Sequence, residues 1–345
     1  EFGERKREMM DKVLTISVAA YNVEKYIGTL IESVIGSQAA GKIEIIVVDD
    51  GSKDKTSDIV KTYCNKCDSV RLVTKENGGY GSTINRALEI AEGKYFRLLD
   101  GDDVVQTENM DEYIQYLEDC DSDIVLTPYV RFSENGSQER ILNRHSISEK
   151  TSFIEECNGK EIEDIHMAEL TVKTRILTER AISITENCFY TDNEIVFFAM
   201  LYARTISKFH RPIYRYRIGV EGQSVSAEGK IKHYKDGLIV EEKMLKIFQN
   251  ERDNLGSNAS KSIEVMMINL ALFNYGNLIL LPDTKKRFRE SKEFDALIKR
   301  YNDDIYRQTS DSKTIRFLRK TKFYGLKIAN LRAKIHLKMK KEIKV

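Results

Sequence analysis

Two groups of aspartates follow apolar runs of the sequence. The run YFRLL is followed by Asp100, Asp102 and Asp103, and the run IEIIVV is followed by Asp49 and Asp50. A buried strand that ends in clustered carboxylates needs a counter-charge, which a divalent cation and its bound phosphates supply. Because open α/β sheets bind ligands at the carboxyl ends of their strands, the pattern predicts one metal and phosphate site at that edge.

The residues around these acids alternate between strand and helix patterns. Strands are predicted at residues 15–22, 43–50, 70–73, 95–100 and 123–132, and helices at 24–37, 54–65, 82–91 and 110–117. Strands that alternate with helices predict a doubly wound, mostly parallel sheet with helices on its faces.

The sequence contains neither of two common nucleotide-binding signatures, the P-loop and the dinucleotide fingerprint. The segment GSQAAGK at residues 36–42 fits most of a P-loop, but it follows a helix, opens a strand and continues into Ile43 instead of Ser or Thr. No G-x-G-x-x-G follows the first strand, so the dinucleotide fingerprint is missing as well.

A further carboxylate lies late in this part of the chain. The segment ISITENCFYTDNEIVFFAML predicts a strand, a turn and then a helix that begins near Asp192. An aspartate at a helix start either caps the helix or, near an acceptor hydroxyl, acts as a general base. Glu194 is the alternative base on the same helix.

Composition indicates a soluble globular protein. The chain is 41% hydrophobic and 32% charged, which is typical of a globular protein. Its length of 345 residues suggests two domains. The five cysteines are scattered as in a reduced, cytosolic protein. No apolar run long enough for a membrane span is expected. Residues 1–12 are interpreted as a cloning remnant and an N-terminal extension.

Five segments of the sequence follow one another in the order SVAAYNVEKYI, VVDDGSKDKT, KENGGYGSTINRAL, RLLDGDD and FYTDNE. In this order they resemble five successive segments of the inverting nucleotide-sugar glycosyltransferases of family 2, of the bacterial surface-polysaccharide type. The resemblance covers roughly residues 13–220. It implies a GT-A fold, a Rossmann-like α/β sheet flanked by helices.

The resemblance also implies roles for individual residues. Asp102 would be the direct ligand of Mn²⁺ or Mg²⁺, and Asp192 the catalytic base. The nucleotide-sugar, expected to be a UDP-sugar, would bind at Ala20, Tyr21, Asn22, Asp50, Asn77, Gly79, Asn85 and Asp100. Asp103 is interpreted as a helix N-cap. Additional acceptor or phosphate contacts are expected from His166, Glu194, Arg215 and Arg217, with a structural histidine and a half-buried strand as the alternatives.

The predicted domains are residues 13–229 for catalysis and 230–345 for a helical domain. The end of the chain, residues 313–345, has twelve lysines and arginines against one acid, Glu342. Tyr324, Ile328, Leu331, Ile335 and Met339 form an apolar stripe there. Such a helix either lies on an anionic membrane or packs on the helical domain. A nucleic-acid partner is not expected, because stacking aromatics are sparse.

The resulting prediction is a metal-dependent hexosyltransferase of class EC 2.4. It would transfer a sugar by single displacement to a hydroxyl of a glycan or of a lipid-linked glycan precursor. It would be cytoplasmic, on the inner face of the cell membrane if the basic tail binds lipid. A nucleotidyltransferase and a non-catalytic sugar-nucleotide-binding module are the alternatives.

Overall fold

The computed structural model describes residues 12–133, 139–180, 182–219 and 227–342, so most of the N-terminal extension lies outside the described residues. The chain forms two compact units. Unit 1 comprises residues 1–187 and 202–219, and unit 2 comprises residues 188–201 and 220–345. This division differs from the predicted boundary after residue 229, because residues 188–201 pack with the C-terminal helices.

Unit 1 contains the strands and the first helices. The strands are β1 (Leu14–Ala20), β2 (Ile43–Asp49), β3 (Val70–Thr74), β4 (Tyr95–Asp100), β5 (Val104–Val105), β6 (Ile124–Leu126), β7 (Tyr129–Ser133), β8 (Glu139–Leu142), β9 (Ser152–Phe153), β10 (Leu170–Lys173), β11 (Thr205–Lys208) and β12 (Tyr214–Ile218). The helices are α1 (Ile27–Ile35), α2 (Thr56–Cys64), α3 (Tyr80–Leu88), α4 (Thr107–Asp119) and α5 (Thr174–Thr178).

Within the described residues, eight strands form one sheet in the order β3-β2-β1-β4-β10-β6-β11-β9. The first four are parallel to one another, and β10 runs antiparallel to β4 and β6. Every residue of β2 is buried, as expected for a parallel strand covered on both faces. The structure therefore confirms the α/β class and the mostly parallel sheet.

The strand predicted at residues 123–132 is interrupted in the structure. β6 belongs to the large sheet, whereas β7 joins a second sheet in the order β5-β12-β7-β8. Pro128 lies between them, and a proline removes the backbone N–H that a continuous strand would donate to its neighbour. The second sheet places β12 beside β5, directly after the aspartates that follow β4.

Unit 2 is helical in its described part. Its helices are α6 (Asp192–Tyr202, the last residue belonging to unit 1), α7 (Ala227–Lys232), α8 (Tyr234–Glu251), α9 (Ser257–Leu280), α10 (Thr284–Tyr301), α11 (Asp303–Thr309), α12 (Lys313–Lys320) and α13 (Leu326–Glu342). The predicted C-terminal helical region is therefore present.

Helix α9 is the central helix of unit 2. By length and composition it could cross a membrane, with a mean hydropathy of 1.4, contrary to the expectation that no apolar run is long enough for a membrane span. However, 56% of that apolar window is buried inside the protein. The helix packs against α8, α10, α11 and α13 of the same unit.

A carboxyl group is buried where α8 meets α9. Glu241 is fully buried and accepts a hydrogen bond from Asn274 Nδ2 at 2.7 Å. The same amide donates to the carbonyl of Gly237 at 3.0 Å, and a Cβ at residue 237 would lie 2.2 Å from Asn274 Oδ1. Burial raises the pKa of Glu241 to about 8, although the amide hydrogen bond lowers it.

We expect Glu241 to make the stability of unit 2 fall as pH rises. The native carboxyl keeps its proton up to pH about 8, whereas an unfolded glutamate releases it near 4.5. Between these values the native state binds more protons, so the free energy of unfolding decreases by up to about 1.4 kcal/mol per pH unit. Thermal unfolding of Glu241→Gln between pH 5 and 8 should show a flatter pH dependence and a higher Tm at pH 8.

Glu242→Gln is the matched control for this measurement. Glu242 is the next residue of α8, is partly exposed and pairs with Lys246 at 2.7 Å. Its substitution should leave the pH dependence of the wild type in place. If Glu241→Gln and wild type lose Tm equally between pH 5 and 8, Glu241 does not titrate as described.

Candidate functional site

The register of the large sheet places the two groups of aspartates on either side of β1. Ala20 pairs with Asp49 on β2, and Ala19 pairs with Asp100 on β4. Asp50 follows β2 directly, and its N–H donates to the carbonyl of Ala20 at 2.9 Å. The strand ends that the sequence singled out are therefore neighbours at one edge of the sheet.

Three carboxylates converge after β4. Asp100, Asp102 and Asp103 each offer an oxygen, and the three oxygens lie within 4.8 Å of one another. Asp103 is 1% exposed and accepts hydrogen bonds from the Tyr214 hydroxyl at 2.6 Å and the Arg217 N–H at 2.5 Å. The prediction that Asp103 caps a helix is wrong: α4 begins only at Thr107 and has no side-chain cap.

This acidic cluster is electrostatically strained. Burial raises the pKa of Asp103 well above its ordinary value, and the charges of Asp100 and Asp102 raise it further. The hydroxyl of Tyr80 donates to Asp100 Oδ1 at 2.7 Å. A bound divalent cation would relieve the mutual repulsion of these carboxylates, and oxygen ligands so spaced suit Mg²⁺ or Mn²⁺.

Asp50 holds the glycine loop that follows β3. Its Oδ1 accepts from the Gly78 N–H and from Lys75 Nζ, at 2.8 and 2.7 Å. Its Oδ2 accepts from the Gly79 N–H at 2.8 Å, and its carbonyl accepts from Asn77 Nδ2 at 2.9 Å. Gly79 has a φ of 79°, a backbone conformation that favours glycine. Asp50 and Asn77 therefore shape the loop that was predicted to contact the nucleotide-sugar.

The segment after β1 is tied to the segment after β2. The Asn22 N–H donates to Ser52 Oγ at 2.9 Å, and Asn22 Oδ1 accepts from the Lys53 N–H at 2.8 Å. Asn22 has a φ of 54°, and Tyr21 beside it is 49% exposed. Asp49, in turn, accepts from the Ser52 N–H at 2.8 Å. The result is an open edge with one exposed aromatic ring.

Asn85 joins α3 to the segment before Asp192. Its Nδ2 donates to the Ile184 carbonyl at 2.9 Å, and its Oδ1 accepts from the Ile184 N–H at 2.8 Å. A Cβ at Gly81 would lie 2.0 Å from the carbonyl of Thr185, so only glycine admits this approach. The strand predicted before Asp192 is absent from the described residues 182–191, because these hydrogen bonds fix another path. Both polar atoms of the Asn85 side-chain amide are therefore hydrogen-bonded to the backbone of Ile184.

The two arginines of β12 have different surroundings. Arg217 Nε donates to the carbonyl of Asp102 at 2.6 Å, and its guanidinium lies 4.9 Å from the ring centroids of Tyr26 and Phe132. Arg215 Nη1 donates to Gln106 Oε1 at 2.9 Å. Arg217 therefore adjoins the acidic cluster, whereas Arg215 bonds to the segment before α4.

His166 lies between aromatic rings of the second sheet. Its ring stacks on Tyr129 at 5.2 Å between centroids and meets the edge of Tyr216 at 6.1 Å. Its Nδ1 accepts from the Ala168 N–H at 3.2 Å, which caps the short turn at residues 167–169. These contacts correspond to the structural role that was one of the two predicted alternatives.

The two candidate bases belong to unit 2. Asp192 is the first residue of α6 and is partly exposed, and its Oδ1 accepts from Asn193 Nδ2 at 3.2 Å. Glu194 is fully buried and accepts from Lys243 Nζ at 2.5 Å. Within unit 2, Asp192 is therefore accessible to a substrate, whereas Glu194 is committed to an ion pair.

Three residues of the site were not singled out from the sequence. Lys75 neutralises Asp50, Tyr80 bonds to Asp100, and Tyr214 bonds to Asp103. Lys75 and Tyr80 flank the glycine loop, and this position in the sequence could have identified them as residues of the site. Tyr214 lies 111 residues from Asp103 and could be found only from the sheet topology.

The sequence matches a glycosyltransferase family model and related bacterial proteins. The sequence model of the family described as Glycosyl transferase family 2 matches residues 15–181. The chain is 26% identical over 239 residues to the glycosyltransferase EpsH of Bacillus subtilis, which covers 68% of each chain. It is 30% identical over 224 residues to the minor teichoic acid biosynthesis protein GgaB of the same organism, covering 63% of this chain but 24% of GgaB.

The fold is also found in a solved structure. Residues 1–349 of S. aureus TarS, in complex with UDP-GlcNAc, superpose with a TM-score of 0.66 at 21% identity. The match covers 85% of this chain and 82% of that one. At this identity the likeness concerns the fold, and it agrees with the GT-A architecture expected from the sequence.

Proposed function

Because this chain belongs to glycosyl transferase family 2, we propose that it is a metal-dependent, inverting enzyme that uses a UDP-sugar. The observation that carries this proposal is the convergence of Asp100, Asp102 and Asp103 within 4.8 Å at the end of β4. A nucleoside diphosphate leaves with additional negative charge, and such a cluster is suited to hold the cation that neutralises it.

In the proposed reaction, the acceptor hydroxyl attacks the anomeric carbon of the donor sugar. Its oxygen forms the new glycosidic bond while the bond from that carbon to the diphosphate oxygen breaks, which inverts the configuration. Asp192 accepts the hydroxyl proton, a role that its partial exposure at the start of α6 permits.

The acidic cluster fits a divalent cation of the Mn²⁺ or Mg²⁺ type. Asp102 would be a direct ligand, with Asp100 as its partner or as a ribose contact. When bound, the cation would supply Lewis-acid stabilisation of the departing diphosphate. Tyr80, Tyr214 and Arg217 hold the cluster in place through the hydrogen bonds described above.

The donor nucleotide would lie at the open edge formed by the segments after β1 and β2. Ala20, Tyr21 and Asn22 would contact the base, with the exposed Tyr21 ring as a stacking surface. Asn77 and Gly79 would contact the sugar-nucleotide from the loop that Asp50 orders. The UDP-GlcNAc held by TarS supports uridine as the nucleoside.

Nucleotide release from a panel of sugar nucleotides tests this proposal. We expect UDP release from one UDP-sugar with Mn²⁺ or Mg²⁺ and none with a chelator, because diphosphate departure needs the cation. Release that is equally fast in chelator would contradict metal dependence. A complete lack of release and of thermal stabilisation by any sugar nucleotide would favour a module without catalysis.

We also propose that the acceptor is a glycan or a lipid-linked glycan precursor, reached at the inner face of the cell membrane. The relationship to a teichoic acid biosynthesis protein supports this class of acceptor.

On α13, Leu326, Ala329 and Asn330 are buried, and Asn330 Nδ2 donates to the Ile279 carbonyl of α9 at 2.6 Å. The face of α13 that contains Leu326, Ala329 and Asn330 therefore packs on the rest of unit 2.

The described part of the predicted apolar stripe is exposed. Tyr324 is 79%, Ile328 51%, Leu331 61% and Ile335 49% exposed, and lysines and arginines surround them. The side chain of Met339 lies outside the described residues. An exposed apolar face among cations is the pattern of a helix that lies on an anionic bilayer.

Sedimentation with vesicles of phosphatidylglycerol and phosphatidylcholine checks the membrane proposal. The double variant Ile328→Glu, Leu331→Glu should lower the bound fraction about fivefold or more, because it removes apolar insertion and adds repulsion. Ile239→Glu, at another exposed apolar position of unit 2, should bind as the wild type does. Equal binding of all three proteins, or binding unaffected by salt, would contradict this surface.

A further inference from the structure

Unit 2 contains a cavity of about 550 Å³ that the proposed transfer reaction does not use. Its walls are mostly apolar, and their apolar residues include Phe273 and Ile279 of α9, Ile315 and Phe317 of α12, and Ala333 of α13. This volume lies in the range of sites for small organic ligands, which are typically apolar with a few convergent polar groups.

The charged residues of the cavity all have the same sign. Lys230 of α7, Lys313 of α12 and Arg332 of α13 line it, and none of its described lining residues is acidic. Lys230 Nζ lies 5.1 Å from the ring centroid of Phe273, which keeps this ammonium group at the apolar wall. Three cations beside an apolar surface are complementary to an anionic group attached to an apolar chain.

A buried amide provides a second, independent indication of a ligand. Asn277 lines the cavity and is 1% exposed, yet its Nδ2 has no hydrogen-bond partner among the residues that the structure describes. One turn earlier on α9, the Nδ2 of Asn274 has two acceptors. Because an unpaired buried donor is unfavourable, the Nδ2 of Asn277 calls for an acceptor oxygen from outside the chain.

Glycine at position 276 leaves the space of the cavity open. Gly276 lies within α9 and lines the cavity, and a Cβ there would meet no atom within 4 Å. Glycine is less favourable than alanine inside a helix. A larger side chain at this position would therefore extend into the cavity without colliding with the described backbone.

We propose that this cavity binds a phosphate-bearing lipid. The apolar chain lies against Phe273, Ile315 and Phe317, and the phosphate is bound by the cations and by the Nδ2 of Asn277. The same helix that contributes Arg332 exposes Ile328 and Leu331, which would bring the cavity to a lipid surface. This inference does not depend on the transfer activity, since it concerns unit 2 and a different ligand.

Calorimetric titration of the full chain with dihexanoyl phosphatidic acid, below its micelle concentration, tests the proposal. Dihexanoyl phosphatidylcholine and inorganic phosphate are the comparison ligands. We expect phosphatidic acid to bind at least about tenfold more tightly than either, because each comparison ligand lacks the net charge or the chain. Equal affinity for inorganic phosphate would reduce the cavity to a simple anion site and overturn the lipid assignment.

Substitutions in the cavity give the second arm of the test. Gly276→Phe should weaken phosphatidic acid binding at least about tenfold by filling the cavity, whereas Gly276→Ala should retain it. Lys313→Gln with Arg332→Gln should also weaken binding about tenfold. Lys327→Gln with Lys334→Gln is the matched charge control, because both lysines lie on α13, the helix of Arg332, and neither lines the cavity. Unchanged affinity in a folded Gly276→Phe variant would contradict the site.

Discussion

Replacing Asp102 with asparagine is expected to lower kcat by at least about 100-fold, with little change in thermal stability. Asp102 belongs to the three carboxylates that converge within 4.8 Å. Removing one of them weakens cation binding and leaves the departing diphosphate with less stabilisation. The same change removes a charge that raises the pKa of Asp103, so the fold is not expected to lose stability.

Metal titration of the rate distinguishes this effect from a general loss of folding. Asp102→Asn should need a higher concentration of Mn²⁺ for half-maximal rate, and its Tm should stay near that of the wild type. Asp58→Asn is the matched control, since it removes a carboxylate that is 78% exposed on α2 and outside the site. A variant at Asp102 that keeps a normal rate and normal metal response would refute the assignment of this ligand.

Replacing Asp192 with asparagine is expected to lower kcat by about 100- to 10,000-fold, the usual contribution of a general base. Asparagine retains the size and helix-capping ability of aspartate but cannot accept the proton of the acceptor hydroxyl. UDP binding should therefore be preserved, as measured by calorimetry, while transfer to the acceptor is lost. A loss of UDP affinity equal to the loss of rate would point to a binding role instead.

Glu194→Gln serves as the paired variant in this experiment. Glu194 is fully buried and bonded to Lys243 at 2.5 Å, so its substitution should lower the Tm by about 3 °C or more, through loss of a charged hydrogen bond. Its effect on kcat of the folded enzyme should be smaller than that of Asp192→Asn. The reverse order of rate losses would identify Glu194 as the base.

The sequence predicted the elements of the sheet edge well, because hydrophobic patterning is a local property. Residues 43–48 and 95–99 are apolar apart from Glu44 and Arg97, and their short length favours strands; both segments form buried strands. The exception at Pro128 also has a local cause, the missing backbone N–H of proline, which interrupts the strand predicted at residues 123–132.

The partners of the site residues were not predictable, because they depend on contacts between distant segments. Asp103 was expected to cap the helix that follows it. Instead, its carboxylate bonds to Tyr214 and to the backbone of Arg217, which only the pairing of β5 with β12 brings close. Likewise, nothing in the local pattern of Asn85 indicates that it binds Ile184, 99 residues away.

Which face of the basic tail packs on the protein was likewise not predictable from the sequence. Its apolar stripe was compatible with a membrane surface and with packing on the helical unit, since both need spaced apolar residues. Leu326, Ala329 and Asn330 pack instead, which leaves Ile328 and Leu331 exposed. The composition of a helix does not specify which of its faces finds a partner within the protein.

The sequence by itself determined the α/β class, the order of the elements and the position of the acidic residues at strand ends, because strand and helix periodicity and turn chemistry are encoded locally. The tertiary structure decided which carboxylates converge, which groups hold them and which faces remain exposed. Those properties follow from long-range pairing of strands and packing of helices, and the hydrogen bond between Tyr214 and Asp103 exists only once both sheets have formed.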